Sequence, residues 1–402
     1  MHDFDELIDR KNTNSMKWLK PITNIECSQE IIPMWVADMD FRVAQPIINA
    51  IQKVTEIGIF GYATVNDSCK DAIIQWQENK YNWSPEKEWI VHTPGVVTAL
   101  NLAIQAYTTE KDEVLIQTPV YIHFHQDVET NRRKVIEAPL KLVGNRYIYD
   151  AEQFEAAITP NTKLFILSNP HNPTGNVWSD EELNSMVEIC VKHHIIIVSD
   201  EIHQDLVLSS DKTHTTIFNS HPEAKNISLV CTSPSKTFNI AGLQISNIFI
   251  ANHNLREKFQ TKSKENGIYL LNNFAGVACE AAYRECDMWL DNVKTYIIKN
   301  KTVLSNTLKE TSLPIKMIES DATYLIWLDC RELGMDNDEL HQFFLIQAGV
   351  WLDEGKKFSE LGNGFMRINL ACPTSRLQDA LARIINALQS LPTRPEAELT
   401  VN

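Results

Sequence analysis

Between about residues 88 and 252 the chain alternates between two hydrophobic patterns. Short apolar runs at Trp89–His92, Glu113–Gln117, Lys134–Ala138, Leu164–Ser168, Ile195–Ser199, Ser228–Cys231 and Ile245–Ala251 predict strands. Several are apolar at nearly every position, as strands covered on both faces must be. Between them lie stretches with helical periodicity, such as Thr98–Tyr107 and Asp180–His194. Ser179 precedes the latter and Glu182 follows three residues on, the signature of a capped helix start. This alternation predicts an α/β fold with a mostly parallel sheet and helices on both faces. In such sheets, ligands sit at the carboxyl ends of the strands.

After residue 274 the pattern changes. Phe274 to about Leu308 reads as a long helical connector. Beyond it, strands near Tyr324–Leu328 and Phe365–Leu370 alternate with helices near Asn337–Gln347 and Ser375–Leu391, a smaller α/β domain. The expected division is an N-terminal segment (1–45) packing with the small domain, a large domain (46–285), the small domain (286–395) and a tail (396–402). From Pro392 the chain is polar and carries prolines, which predicts a frayed end.

A length of 402 residues exceeds one ordinary core and fits a large domain with a smaller one. The formal net charge of −15 disfavours nucleic acid and anionic membrane surfaces as partners, since both require a basic face. The eight cysteines are dispersed without a C-x-x-C, so neither a thiolate metal site nor a disulfide framework is expected. The N-terminus is acidic and lacks the order of a signal peptide, and no run reaches the ~18 apolar residues of a membrane helix. These features predict a cytoplasmic location.

Candidate chemistry clusters just after the predicted strands. Lys236 lies in the hydroxyl-rich turn Thr232-Ser233-Pro234-Ser235-Lys236-Thr237-Phe238. A lysine at a strand end can lower its amine pKa and attack a carbonyl to form a Schiff base, while Ser233 and Ser235 can hold a phosphate. The strand ending at Ser199 delivers Asp200, Glu201 and His203. A carboxylate on a crevice floor is costly unless it meets a cation, and a protonated pyridine nitrogen is such a partner. The alternative is that Asp200 caps the following turn.

Asn169-Pro170-His171-Asn172-Pro173-Thr174-Gly175 forces a rigid loop that can aim Asn172 at a ring oxygen. Thr93-Pro94-Gly95-Val96-Val97-Thr98 joins a strand to a helix whose free amides suit a phosphate. Tyr121 can stack on an aromatic ring. Arg367 interrupts the apolar run Phe365–Leu370, and its fork fits a substrate carboxylate or a structural partner such as Asp353 or Glu354. The histidines at 123, 125, 193 and 194 lack the surroundings of a metal site. No G-x-G-x-x-G, Walker or G-x-S-x-G pattern is present.

The order N-P-H-N-P-T-G, S-D-E-I-H and S-P-S-K-T-F-N-I-A-G-L resembles the fold-type I pyridoxal-phosphate enzymes of the class I/II aminotransferase superfamily. Met34–Phe41 (M-W-V-A-D-M-D-F), D-E-I-H and S-K-T-F-N-I-A-G-L-Q are similar to the cystathionine β-lyase-type C–S lyases, the MalY/PatB branch. The resemblance spans about residues 3–390. It implies the PLP-dependent transferase fold type I, with a mostly parallel seven-stranded sheet in the large, cofactor-binding domain plus a smaller α/β domain.

It also implies α,β-elimination on L-cystathionine or another cysteine S-conjugate, giving a thiol, pyruvate and ammonia. Lys236 would hold pyridoxal 5'-phosphate through a Schiff base and remove the Cα proton. Asp200 would pair with the pyridine nitrogen, and Asn172 would bond the ring oxygen and face the substrate. His203 stands where many relatives have a tyrosine. Val96, Val97, Ser233 and Ser235 would surround the phosphate. Tyr121 would stack on the ring beside the substrate, and Arg367 would hold the substrate α-carboxylate. Tyr62 matches a tyrosine lent to the neighbouring subunit's phosphate, which implies a homodimer with shared active sites. Where many aminotransferases carry an arginine after the G-L pair, this chain has Gln244, Ile245 and Ser246. That departure favours the lyase over the rival aminotransferase. A third reading adds a regulatory, protein-binding role.

Overall fold

The computed structural model describes residues 3–19 and 30–391; the predicted tail and Cys27 lie outside them. Seven strands form the main sheet: β1 (Ile90–Thr93), β2 (Glu113–Ile116), β3 (Lys134–Glu137), β4 (Thr162–Ser168), β5 (Ile196–Asp200), β6 (Ser228–Thr232) and β7 (Ser246–Phe249). Their spatial order is β1-β7-β6-β5-β4-β2-β3, and only β7 runs against the others. Each predicted strand is present, with ends displaced by one or two residues.

The apolar runs are explained by two cores, one on each face. Leu164 and Ile166 point into one, and Phe165 and Leu167 into the other. Helix α1 (Val96–Tyr107) covers the first face with Ala99, Leu100, Ala103 and Ile104. Helix α2 (Asp180–Lys192) covers the second with Leu183, Met186, Val187 and Cys190. The capping box at its start is formed as the sequence predicts: Glu182 N–H donates to Ser179 Oγ at 3.2 Å, and Ser179 N–H to Glu182 Oε2 at 2.8 Å.

The long connector is broken once, at Cys286, into Ala275–Glu285 and α3 (Asp287–Glu310). Trp289, Leu290, Val293 and Ile297 of α3 belong to a core of the main sheet, whereas Leu304 and Leu308 belong to a separate C-terminal core. One helix thus fixes the two bodies together, each fully buried apolar side chain contributing about 1.5–3 kcal/mol.

The C-terminal core lies against a four-stranded sheet of β8 (Lys316–Met317), β9 (Leu325–Asp329), β10 (Asp353–Glu354) and β11 (Phe365–Asn369), ordered β8-β9-β11-β10. Helix α4 (Thr374–Gln389) packs on it through Leu377, Ala380, Leu381 and Ile384. The N-terminal segment touches both bodies: Ile32 and Met34 enter the C-terminal core, while Phe4, Met39 and Phe41 enter the main one. Among the described residues no helix is long and apolar enough to cross a membrane, and the seven described cysteines are buried free thiols.

Candidate active site

The sheet register places the chemistry side by side. Ser168 at the end of β4 pairs with Asp200 at the end of β5, which pairs with Cys231 of β6. The loop carrying Asn172, the turn carrying His203 and the segment carrying Lys236 therefore leave the sheet along one edge. Lys236 sits not in an open turn but on a one-turn helix, Pro234–Thr237. Ser233 caps it, accepting from Ser235 N–H at 3.1 Å.

Asp200 is buried, with its carboxylate accepting one backbone N–H, that of Ile202, at 3.1 Å. It caps the turn, as the alternative reading required. Burial pushes its carboxyl up to about 7, against the pull of that N–H and of the Lys236 charge. Lys236 shifts the other way: burial lowers its amine to about 8, with Asp38 opposing and Arg367 adding to the fall. Its Nζ donates to the Ala37 carbonyl oxygen at 2.8 Å. The His203 ring is held neutral by burial and by the Lys236 and Arg367 charges, its pKa falling to about 3, and its buried Nδ1 has no partner among the described residues.

Arg367 of β11 crosses from the smaller sheet into this cluster. Its Nη1 donates to Asn172 Oδ1 at 3.0 Å, and its Nη2 to Asp353 Oδ2 at 2.7 Å and to the Trp35 carbonyl at 3.1 Å. The structural partner left open by the sequence is thus Asp353, while Glu354 pairs with Lys357 at 2.9 Å and His341 at 3.3 Å. Tyr121 is partly buried beside the same groups; desolvation pushes its hydroxyl up to about 12, Arg367 opposing and Asp200 adding.

The expected phosphate groups meet nearby. Thr93 Oγ1 lies 2.7 Å from Ser246 Oγ, and Ser233 Oγ donates to the adjoining Ile245 carbonyl at 2.6 Å. These bonds bring the Gly95-Val96-Val97 turn and the Ser233–Ser235 segment to the same stretch of chain. Gly95 holds φ +136°, a conformation that admits little but glycine, and α1 starts at Val96 immediately after it. Much of the Ser233 hydroxyl's capacity is spent within the protein, and Ser235 Oγ lies 2.8 Å from it. Tyr62 stands apart, with 97 % of its surface exposed.

Sequence reasoning missed the N-terminal contribution. Carbonyls of four successive residues face the site: Trp35 receives Arg367, Val36 and Asp38 receive Asn369 Nδ2 at 2.7 Å each, and Ala37 receives Lys236 and the Tyr324 hydroxyl, the latter at 3.1 Å. Behind them, Arg10 bridges Asp38 (2.8 Å) and Asp40 (3.0 Å), and Lys17 and Arg376 close on Asp40 at 3.1 and 3.0 Å. Burial opposes the Asp40 charge, but these cations hold its carboxyl below the usual range. The signal was present: the M-W-V-A-D-M-D-F run carries two acids in an otherwise apolar stretch.

Three of the four histidines considered for a metal meet a single carboxylate: His123 with Asp127, His125 with Glu137 and His193 with Glu155. Among the described residues no group of three or more His, Cys, Asp or Glu is arranged to hold a metal ion.

Residues 31–384 match the family model for aminotransferases of class I and II. Cystathionine beta-lyase PatB of Bacillus subtilis is 44% identical over 388 residues, covering 96% of this chain and all of that protein. A PLP-bound C–S lyase from Staphylococcus hominis superposes with a TM-score of 0.88 at 32% identity, covering 97% of this chain and 99% of its own. A PLP-bound putative aminotransferase from Clostridium difficile 630 superposes with a TM-score of 0.92 at 37% identity, covering 96% and 100%.

Proposed function

The chain belongs to the class I and II aminotransferase family, and on that premise we propose that it is a pyridoxal-phosphate-dependent carbon–sulfur β-lyase acting on L-cystathionine or another cysteine S-conjugate. The observation that carries the proposal is the register that sets Asp200, Lys236 and the Asn172–Arg367 pair together at the ends of adjoining strands, with the Lys236 amine lowered to about 8 and the Asp200 carboxyl raised to about 7. An amine at about 8 is available unprotonated to condense with an aldehyde and to accept a proton. Asp200, with one N–H partner and no ion pair among the described residues, has room for a cation in contact, which a protonated ring nitrogen would supply. The donor set therefore fits pyridoxal phosphate.

In this reading Lys236 Nζ would carry the cofactor, Asp200 would pair with its ring nitrogen, Asn172 would bond its ring oxygen with His203 close by, and Tyr121 would stack on the ring. Val96, Val97, Ser233 and Ser235 surround the phosphate. The bound cofactor supplies an electron sink for charge developing at the substrate Cα.

The protein's own steps follow from its geometry. Arg367 reads the substrate α-carboxylate and so fixes which bond at Cα faces Lys236. Once the substrate amine has displaced it from the cofactor, the freed Lys236 Nζ takes the Cα proton; the Ala37 carbonyl accepts a hydrogen bond from the resulting ammonium, which can return a proton to the departing sulfur. The β-carbon–sulfur bond then breaks, the sulfur leaves as a thiol, and addition of water yields pyruvate and ammonia. Cystathionine beta-lyase PatB, similar over its whole length, supports elimination. The putative aminotransferase from Clostridium difficile keeps transamination as the second reading.

The reading extends to a homodimer with shared sites. Ile57, Ile59, Phe60, Tyr62 and Tyr269 are exposed, and a bridge between Ala63 and Leu271 brings their two segments together. An apolar surface of this kind favours a second copy, with Tyr62 completing the partner's phosphate site. A cytoplasmic location accords with the buried free thiols. The test is Lys236→Ala: it should keep cofactor without a covalent bond and release no pyruvate from L-cystathionine. Undiminished release would sink the assignment.

A further inference from the structure

The guanidinium of Arg367 is already engaged on the edge that a carboxylate must use. A bidentate carboxylate needs two parallel N–H bonds from one edge of the fork. On the Nε–Nη2 edge, buried Nε has no partner among the described residues, but both Nη2 hydrogens are committed, one to Asp353 Oδ2 at 2.7 Å and one to the Trp35 carbonyl at 3.1 Å. Nη1 donates to Asn172, and the ring of Phe358 lies 4.8 Å beneath the guanidinium carbon. Any edge that uses Nη2 is therefore half closed, and one of the two groups that close it is a carboxylate.

Asp353 has a second cation within reach. Lys357 Nζ stands 3.4 Å from its other oxygen, Oδ1, and that lysine side chain is 38% exposed. The backbone of Asp353 is fixed by the direct register Asp353–Arg367 between β10 and β11. A side-chain rotation alone can thus move the carboxylate from Arg367 toward Lys357.

We propose that Asp353 is a built-in competitor for the substrate α-carboxylate, yielding Arg367 to the incoming amino acid and transferring to Lys357. The inference rests on the reading of Arg367 as the carboxylate ligand. Asp353 in this role is a positioning residue that sets binding strength. It keeps the buried guanidinium neutralised before substrate arrives, at the expense of substrate affinity. A residue that merely propped Arg367 would have the opposite effect when removed.

The test is calorimetric binding of L-alanine, an amino acid with no β-leaving group, to the cofactor-loaded protein. Asp353→Asn should bind it about tenfold more tightly, the size of one charge-assisted hydrogen bond. With L-cystathionine the KM of the same variant should fall by more than kcat changes. Lys357→Met, which removes the alternative partner, should bind L-alanine several-fold more weakly. Unchanged or weaker binding by Asp353→Asn overturns the inference. If that variant does not fold, unchanged binding by Lys357→Met overturns it instead. Failure to release thiol would count against the lyase reading and leave the calorimetric comparison standing.

Discussion

Lys236 Nζ and the carbonyl oxygen of Ala37, 199 positions apart in the chain, lie 2.8 Å from each other. The amine is therefore held by the N-terminal segment, which sits on both bodies of the protein, rather than by a neighbour on its own strand. Asn369 secures that segment, its Nδ2 donating to Val36 and Asp38 and its Oδ1 accepting from Ala371 N–H at 2.7 Å. Asn369→Leu should cost about 2–4 kcal/mol, the penalty for leaving buried backbone groups unpaired. Denaturant unfolding measures the loss, and kcat/KM should fall with it, since the carbonyl that orients Lys236 is no longer fixed.

The turn carrying Lys236 is anchored from the other side by Asp205. This buried carboxylate accepts from Thr237 Oγ1 at 2.6 Å, from Trp76 Nε1 at 2.9 Å and from the Tyr81 hydroxyl. Asp205→Ala strands three donors and should destabilise the fold by about 3–5 kcal/mol, whereas Thr237→Val, which removes one, should cost about 1–3 kcal/mol. Thermal and urea unfolding of the two variants should preserve that order.

The shifts at the site give two pH dependences. Lys236, at about 8, is an unprotonated nucleophile above that value. Cofactor-free protein should therefore take up pyridoxal phosphate faster as pH rises through 8, followed by the absorbance of the Schiff base. Asp200 is raised from 3.8 to about 7. The native state then binds more protons than the unfolded chain between those values, so stability without cofactor should fall as pH rises across that window. Asp200→Asn should flatten the slope, as denaturation midpoints at several pH values would reveal.

The central strands were legible because they are buried on both faces, so Leu164–Leu167 reads as continuous apolar sequence although its residues serve two cores, whereas the edge strand Lys134–Glu137 is exposed at both ends. The candidate site was legible where side chains carry it: Lys236, Asp200 and His203 come after strands whose neighbours are set by the apolar pattern. The Trp35–Asp38 contribution was not, because backbone carbonyls have no side-chain signature and their partners lie far away in sequence. Asp353 was one of two possible partners for Arg367. The choice fell to register, since Asp353 pairs directly with Arg367 and Glu354 with Met366.

Tyr62 and its neighbours test the shared-site reading. Phe60→Asp places a charge in the exposed apolar patch, where Phe60 is 58% exposed and its ring lies 5.9 Å from that of Phe274. Sedimentation should show monomers in place of dimers. Tyr62→Ala should leave the unfolding midpoint of the cofactor-free protein unchanged and weaken cofactor retention. A monomeric wild-type protein with full activity would refute the shared site.

In the proposed reaction, elimination and amino-group transfer part ways once Lys236 has taken the Cα proton. Purified protein incubated with L-cystathionine should release pyruvate and free thiol in equal amounts with no 2-oxo acid present, and adding an acceptor should not raise the yield. Amino-group transfer that appears only with the acceptor, with no thiol released, would contradict the lyase assignment.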